Sequence, residues 1–266
     1  MRIAVTADLH YDLGRESARD QLEAVRRAVT EADPDVLVFA GDQVGLGKKH
    51  LPALLESYRG LRARKLIVPG NHDLWLPEGD SRAYYLATLP QIYADHGFHM
   101  LDAEPVVVDG VGFAGGISWY DYSFRDPTVV LGKGESYEAS RFRGHVVAND
   151  KIFVRLGRSD PEFCREQLER LEGQVASLTP RVDRVIAVTH MAAFADLLPP
   201  PKKEDDRFMR AFHGSAALGE MLLRHPQVTH HFHGHIHHLA RVKKGGLESV
   251  SVGCTYRTKR VEIVDL

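Results

Sequence analysis

An α/β fold organised on a parallel sheet follows from three features of the sequence. Short β-branched apolar runs alternate with amphipathic stretches of helical period, the first five elements fall in the order β-α-β-α-β, and most runs end in metal-ligand side chains. Right-handed crossovers then set the strands side by side with helices packed outside. In such sheets the loops beyond the strand C-termini form the functional edge.

Residues 2–7 are brief, apolar and β-branched, as a buried central strand requires. Across 16–32, Leu22, Val25, Val29 and Ala32 recur at helical spacing, and Pro34 closes the segment. Residues 36–40 form a second strand that ends at Gly41-Asp42. Leu51, Leu54, Leu55, Tyr58 and Leu61 mark a second helix, and Leu66-Ile67-Val68 is a third strand running into Gly70-Asn71-His72-Asp73. A third helix is predicted over 81–96, followed by a hairpin from 106–108 through Asp109-Gly110 to 111–114, which brings in antiparallel strands.

Residues 119–158 have weak periodicity with many aromatics and glycines, too long a stretch for a structureless loop, and read as a less regular covering segment. Ser159-Asp160-Pro161-Glu162 has the spacing of a capping box and starts a helix with Phe163, Leu168, Leu171, Val175 and Leu178 as its apolar stripe. Residues 185–189 are another buried strand with His190 at its end. A short helix over 215–224, a strand over 228–233 leading to Gly234, and three strand segments within 239–266 complete the order.

The 266 residues can bury a substantial core, and without a repeat or linker they read as one domain, 1–266. Hydrophobic residues at 44% and charged residues at 26% are ordinary globular values, so extended disorder is not expected. A formal charge of −2 lacks the basic footprint of non-specific nucleic-acid binding, which argues against long nucleic acid as a partner. Cys164 and Cys254 stand far apart in no metal-binding spacing, so a disulfide framework is not indicated and a reducing compartment fits. The N-terminal run is too short for a signal segment and no run reaches membrane-spanning length, which leads to the expectation of a cytoplasmic protein without membrane contact.

The chemistry is carried by five segments: Asp8-Leu9-His10, Gly41-Asp42, Gly70-Asn71-His72-Asp73, His190 and Gly234-His235-Ile236-His237. Carboxylate, amide and imidazole donors in these numbers suit two divalent cations. Each segment alone is weak, since 15 histidines make a lone imidazole commonplace. Their order, glycines and strand placement give them weight together.

On these residues the chain resembles a calcineurin-like metallophosphoesterase: all five segments of that family's pattern occur in order between residues 8 and 237. The resemblance implies a four-layer α-β-β-α sandwich with two mixed sheets and metal-dependent hydrolysis of a phosphate ester. It implies one metal held by Asp8, His10, Asp42 and His237, and a second held by Asp42, Asn71, His190 and His235, with Asp42 shared. A bridging carboxylate keeps two dications about 3.5–4 Å apart, the spacing for an in-line displacement, and water or hydroxide between them is the expected nucleophile. His72 resembles the family histidine that approaches the leaving-group oxygen, where an imidazolium donates a proton or stabilises charge. Asp73 is assigned with it to the catalytic loop, holding that loop or orienting a histidine. Gly41, Gly70 and Gly234 precede ligand residues, where tight turns and close backbone approach tolerate no Cβ.

Gly45 offers neither the tyrosine expected there in purple acid phosphatases nor the aspartate expected in protein serine/threonine phosphatases, so both subfamilies are disfavoured. His231 and His233 alternate onto one face of their strand and His230 onto the other, which favours supporting or surface roles over a third metal site. His213 is a candidate for the rim. Trp75, Trp119, Tyr120, Tyr122 and Phe124 are assigned either to a pocket wall or to the core. Arg125, Asn149 and Lys151 are candidate phosphate or ribose contacts beside ordinary loop solvation, and 199–206 reads as a solvated loop or a flap over the site. The expected substrate is a small-molecule phosphate diester or monoester, nucleotides included, with manganese, iron or zinc as the metal. A nuclease and a non-catalytic metal-binding scaffold of the same fold are the alternatives.

Overall fold

In the computed structural model, which describes residues 1–13 and 16–266, the side-chain alternation of the first strands decides the layering. The strands are β1 (Arg2–Thr6), β2 (Val36–Ala40), β3 (Arg64–Val68), β4 (His99–Met100), β5 (Val106–Val108) and β6 (Val111–Gly116), then β7 (Arg141–Phe142), β8 (His145–Val146) and β9 (Arg184–Thr189), and finally β10 (Val228–His233), β11 (Ala240–Lys244), β12 (Leu247–Ser251) and β13 (Glu262–Asp265). One sheet has the order β13-β1-β2-β3-β4 and the other β11-β12-β10-β9-β6-β5. Within these two sheets antiparallel pairing is confined to the edge strands β13, β11 and β5, so the inner strands of each end together at one edge.

Ile3, Val5, Val36, Val38 and Leu66 point inward against Phe113, Ile186, Val188 and Phe232 of the second sheet. Their neighbours Ala4, Leu37, Phe39 and Ile67 point outward under Val25, Val29, Leu55 and Tyr93 of the helices. On the far side Ala114, Val185 and Ala187 pack under Val175, Leu178, Met221 and Leu222. Period-two alternation thus covers both faces of both sheets, which gives the four-layer α-β-β-α arrangement and explains the almost unbroken apolar strands. Each fully buried Val, Leu, Ile or Phe contributes about 1.5–3 kcal/mol.

Several elements depart from the sequence reading. The helix predicted to reach Leu61 stops at Glu56, where Ser57 Oγ donates to the Leu54 carbonyl at 2.6 Å and competes with the helical ladder. The helix predicted over 81–96 contains a π segment, Tyr84–Thr88, just before Pro90, whose missing N–H and bulky ring prevent a regular turn. The loop at 199–206 runs into a helix, Glu204–Met209, started by Asp206 accepting from the Lys202 and Lys203 amides. By contrast, the Ser159–Glu162 capping box is present and starts Asp160–Leu178 as expected. Residues 119–158 contain the β7–β8 hairpin and the helix Asp150–Phe153 between irregular stretches. Among the described residues no helix is long and apolar enough to cross a membrane.

Candidate metal centre

Each predicted ligand sits just beyond a strand: Asp8 and His10 after β1, Asp42 after β2, Asn71 after β3, His190 directly after β9, and His235 and His237 after β10. The first two loops are tied together by Asp8 N donating to Gly41 O at 2.9 Å and His10 N to Asp42 O at 3.0 Å. Gly41 has φ +95°, and a Cβ there would stand 2.1 Å from His190 Nδ1. At Gly70 a Cβ would stand 2.1 Å from Asp42 Oδ1, and at Gly234 2.5 Å from Asp8 Oδ2. The glycines therefore let ligand side chains lie directly against neighbouring backbone.

All seven predicted ligands are brought together. Candidate donor atoms of Asp8, His10 and His237 lie within 4.8 Å of one another, as do those of Asp42, His190 and His235 and those of His10, Asp42 and His72. Asp42 stands between the groups: Oδ1 is 3.3 Å from His190 Nε2, and Oδ2 is 3.7 Å from His10 Nε2. Asn71 Oδ1 is 3.0 Å from both His190 Nε2 and His235 Nδ1. His190 Nδ1 faces the Ala40 carbonyl at 3.0 Å and His235 Nε2 the Phe212 carbonyl at 3.0 Å. A carbonyl only accepts, so these ring nitrogens carry protons; His235 Nδ1 then turns a lone pair toward Asn71 Oδ1, and His190 Nε2 does so once its second proton is displaced. Acceptors converging in this way fit a bound cation.

The electrostatics agree. Burial acts to raise Asp8 and Asp42, but the surrounding histidines outweigh it and hold both carboxyls below their usual range, as anions. Burial pulls His10 down to about 3 and His235 well below its usual value, leaving both neutral. His190 is the exception: burial would lower it, yet Asp42 and Asp8 lift it to about 9, so without a metal a proton supplies the positive charge beside Asp42.

His72 lies at the same edge, its Nε2 3.9 Å from Asp42 Oδ2 and its backbone amide donating to Asp42 Oδ1 at 2.9 Å. Asp73 is fully buried and accepts from the amides of Gly70 at 2.8 Å, Val44 at 3.0 Å and Gln43 at 3.2 Å. Burial, reinforced by Asp42, lifts its carboxyl to about 6. Its geometry is that of a clamp between the β2 and β3 loops.

A cavity of 270 Å³ opens over the cluster, with Asp42, Asn71, His72 and His235 in its floor. Trp75, Tyr256, Met209 and Phe212 supply apolar wall, and residues 147–150 of the covering segment close one side. Asn149 and His213 line it as well, whereas Lys151 pairs with Asp160. Of the aromatics left undecided by sequence, Trp75 faces the cavity, and Trp119, Tyr120, Tyr122 and Phe124 are buried with the core clusters. His231 is buried, with ring nitrogens 2.8 Å from Thr189 Oγ1 and 2.8 Å from Ser249 Oγ, a supporting role. Sequence reasoning missed Asp150, which accepts from Asn71 Nδ2, and Lys259, whose buried Nζ donates to the Asp8 carbonyl at 2.5 Å. Neither belongs to a motif.

The calcineurin-like phosphoesterase family profile matches residues 1–239. No curated protein matches by sequence. Among solved structures, the chain is similar to the phosphopantetheinyl hydrolase PptH from Mycobacterium tuberculosis, at 19% identity and a TM-score of 0.75, over 95% of this chain and 89% of that one. It is also similar to a dimetal phosphatase from Danio rerio, at 11% identity and a TM-score of 0.60, over 99% of this chain and 91% of that one. Identities this low speak for the fold alone. With the profile spanning nearly all of the sequence, the chain belongs to the calcineurin-like phosphoesterase family of metal-dependent hydrolases.

Proposed function

We propose that this chain hydrolyses a phosphate ester of a small molecule, with Asp8, His10, Asp42 and His237 holding one divalent cation and Asp42, Asn71, His190 and His235 holding a second. The observation that carries this reading is the pair of donor groups on either side of the Asp42 carboxylate. Bound dications supply Lewis-acid charge for the phosphoryl group and acidify the attacking water. The chain's own residues do the rest. Asp42 spaces the two groups, Asp73 fixes the loops that present them, and His72 Nε2 faces the cavity where a leaving oxygen would depart and can give it a proton or charge stabilisation. The walls of Trp75, Tyr256 and Phe212 suit a partly apolar or planar leaving group. A cavity of 270 Å³ favours a small ester, such as a nucleotide, over a polymer.

Mixed oxygen and nitrogen donors are compatible with manganese, iron or zinc. We take residues 1–266 as one domain with 119–158 as its cover. Two buried free thiols, Cys164 and Cys254, support a reducing, cytoplasmic setting. The test is hydrolysis of bis(p-nitrophenyl) phosphate and p-nitrophenyl phosphate by chelator-stripped protein with manganese restored, beside His72→Ala. Turnover that returns with metal and collapses in the variant is the expected result, and the ratio of the two esters reports diester or monoester preference. Phosphopantetheine esters join the panel because the Mycobacterium tuberculosis neighbour is described as a phosphopantetheinyl hydrolase. Absence of turnover on every ester in protein carrying two metals would refute the hydrolytic reading.

A further inference from the structure

The amide of Asn71 faces two different neighbourhoods. Oδ1 lies 3.0 Å from His190 Nε2 and 3.0 Å from His235 Nδ1, while Nδ2 donates to Asp150 Oδ1 at 2.8 Å. An asparagine side chain turned half a rotation occupies nearly the same volume with oxygen and nitrogen exchanged. A cation site needs the oxygen turned inward, because an NH₂ group has no lone pair to offer. Asp150 makes that choice: a carboxylate only accepts, so the amide nitrogen must face it and the oxygen must face the histidines.

The same Asp150 oxygen accepts from Trp75 Nε1 at 2.6 Å. The Trp75 ring in turn stacks on His72, with centroids 3.6 Å apart and planes 22° from parallel. His72 Nδ1 is buried without a hydrogen-bond partner, and a Cβ added at Gly45 would stand 3.7 Å from it. The imidazole is therefore oriented by stacking rather than by a hydrogen bond to its ring. Asp150 is itself buried and steadied by Tyr120 OH at 3.3 Å from Oδ2.

We propose that Asp150, from the covering segment, is a positioning residue for the reaction: one carboxylate sets which end of Asn71 meets the cation site and holds the indole against which His72 lies. The proposal rests on the hydrolytic reading above for its catalytic part and on geometry alone for the Asn71 part. It makes the cover a component of the site and not only its wall.

The test compares Asp150→Ala, Asp150→Asn and Trp75→Phe in full-length protein, using manganese titration of chelator-stripped samples by calorimetry. Rates are read on whichever nitrophenyl ester is turned over and on its phenyl counterpart, a poorer leaving group that depends more on His72. With Asp150→Ala, manganese affinity should fall about 10–100-fold, the usual cost of losing a partner behind a ligand. The phenyl ester should lose more turnover than the nitrophenyl ester. Asp150→Asn keeps one carbonyl oxygen for both donors and should recover most of the lost affinity. Trp75→Phe should reproduce the leaving-group effect with manganese affinity little changed. Unchanged affinity in Asp150→Ala overturns the proposal, as does a loss that Asp150→Asn fails to restore or equal losses on the two esters. Should the wild type hydrolyse no ester, the hydrolytic reading fails, and the manganese titrations still decide the role at Asn71.

Discussion

Replacing Gly70 by alanine tests how tightly the ligand loops are packed. The added methyl carbon would lie 2.1 Å from Asp42 Oδ1 and 2.4 Å from the Asp42 backbone nitrogen, and backbone cannot rotate away as a side chain can. Either the β3 loop or the β2 loop has to retreat. Overpacking of this kind costs about 1–3 kcal/mol. Retreat also stretches the Gly70 amide bond to Asp73 and the His72 amide bond to Asp42, and one lost bond to a charged acceptor adds about 1.5–3 kcal/mol. The expected destabilisation is thus about 2.5–6 kcal/mol, a large part of the roughly 5–15 kcal/mol of a typical domain. Denaturant unfolding in chelator reads this without contribution from metal binding, and calorimetric titration then reads manganese affinity, which should fall with the displacement of Asp42. Gly60→Ala, where a Cβ meets nothing within 4 Å, is the control. A Gly70→Ala protein within about 0.5 kcal/mol of wild type, the scale of an ordinary surface change, and with the same manganese affinity would refute the packing argument.

Asp73→Ala strands three buried amides, those of Gly70, Val44 and Gln43, and should cost at least about 3 kcal/mol in urea unfolding; a cost below about 1 kcal/mol would deny it the clamp role. Asp102 gives a pH dependence at a carboxyl outside the candidate ligand set. Burial lifts its carboxyl to about 7, against the bonds from Tyr85 and Ile117 that act to lower it, while the unfolded value is near 4. The native state therefore holds a proton that the unfolded chain releases, and this contribution is fully present below about pH 4 and lost as pH rises through about 7. Asp102→Asn stays neutral, so its stability relative to wild type should rise by roughly 2–3 kcal/mol between pH 5 and pH 8. Parallel curves for the two proteins across that range would contradict the assignment.

The seven candidate ligands stand out in the sequence because their segments follow strand-like apolar runs, and a glycine directly precedes Asp42, Asn71 and His235. The layering was legible too, since strands buried on both faces lose polar alternation and read as unbroken apolar runs. What escaped is what depends on distant contact. Asp150 meets Asn71 across 79 positions and Lys259 meets Asp8 across 251, and neither has a neighbour that announces it. β4 was missed because two residues show no period. The helix at Glu204–Met209 was read as loop because its acidic first turn looks like solvated chain until Asp206 is seen capping it. Trp75 and Trp119 show the same limit. Both indoles donate to buried aspartates, Asp150 and Asp160, yet only Trp75 reaches the cavity, a distinction set by tertiary placement.

Backbone conformation adds a reason to connect this arrangement with a bound cation. Asp8, His10, Asp42, His235 and His237 all have positive φ, from 42° to 66°, whereas Asn71 does not. Non-glycine residues held there cost about 1–2 kcal/mol each, somewhat less for Asp and His than for branched residues, so the five together store several kcal/mol. Part of that is offset by the Asp8 and His10 amide bonds to the β2 loop and by Lys259 on the Asp8 carbonyl. The turns re-aim side chains at the strand ends so that acceptors from both sheets converge. Among the described residues these five are part of a group of eleven non-glycine residues with positive φ, the others being Asp33, Asp109, Ser118, Tyr122, Ser140 and Arg143. At the five candidate ligands, a cation that binds the folded chain and not the unfolded one would offset the remaining cost through its own binding free energy.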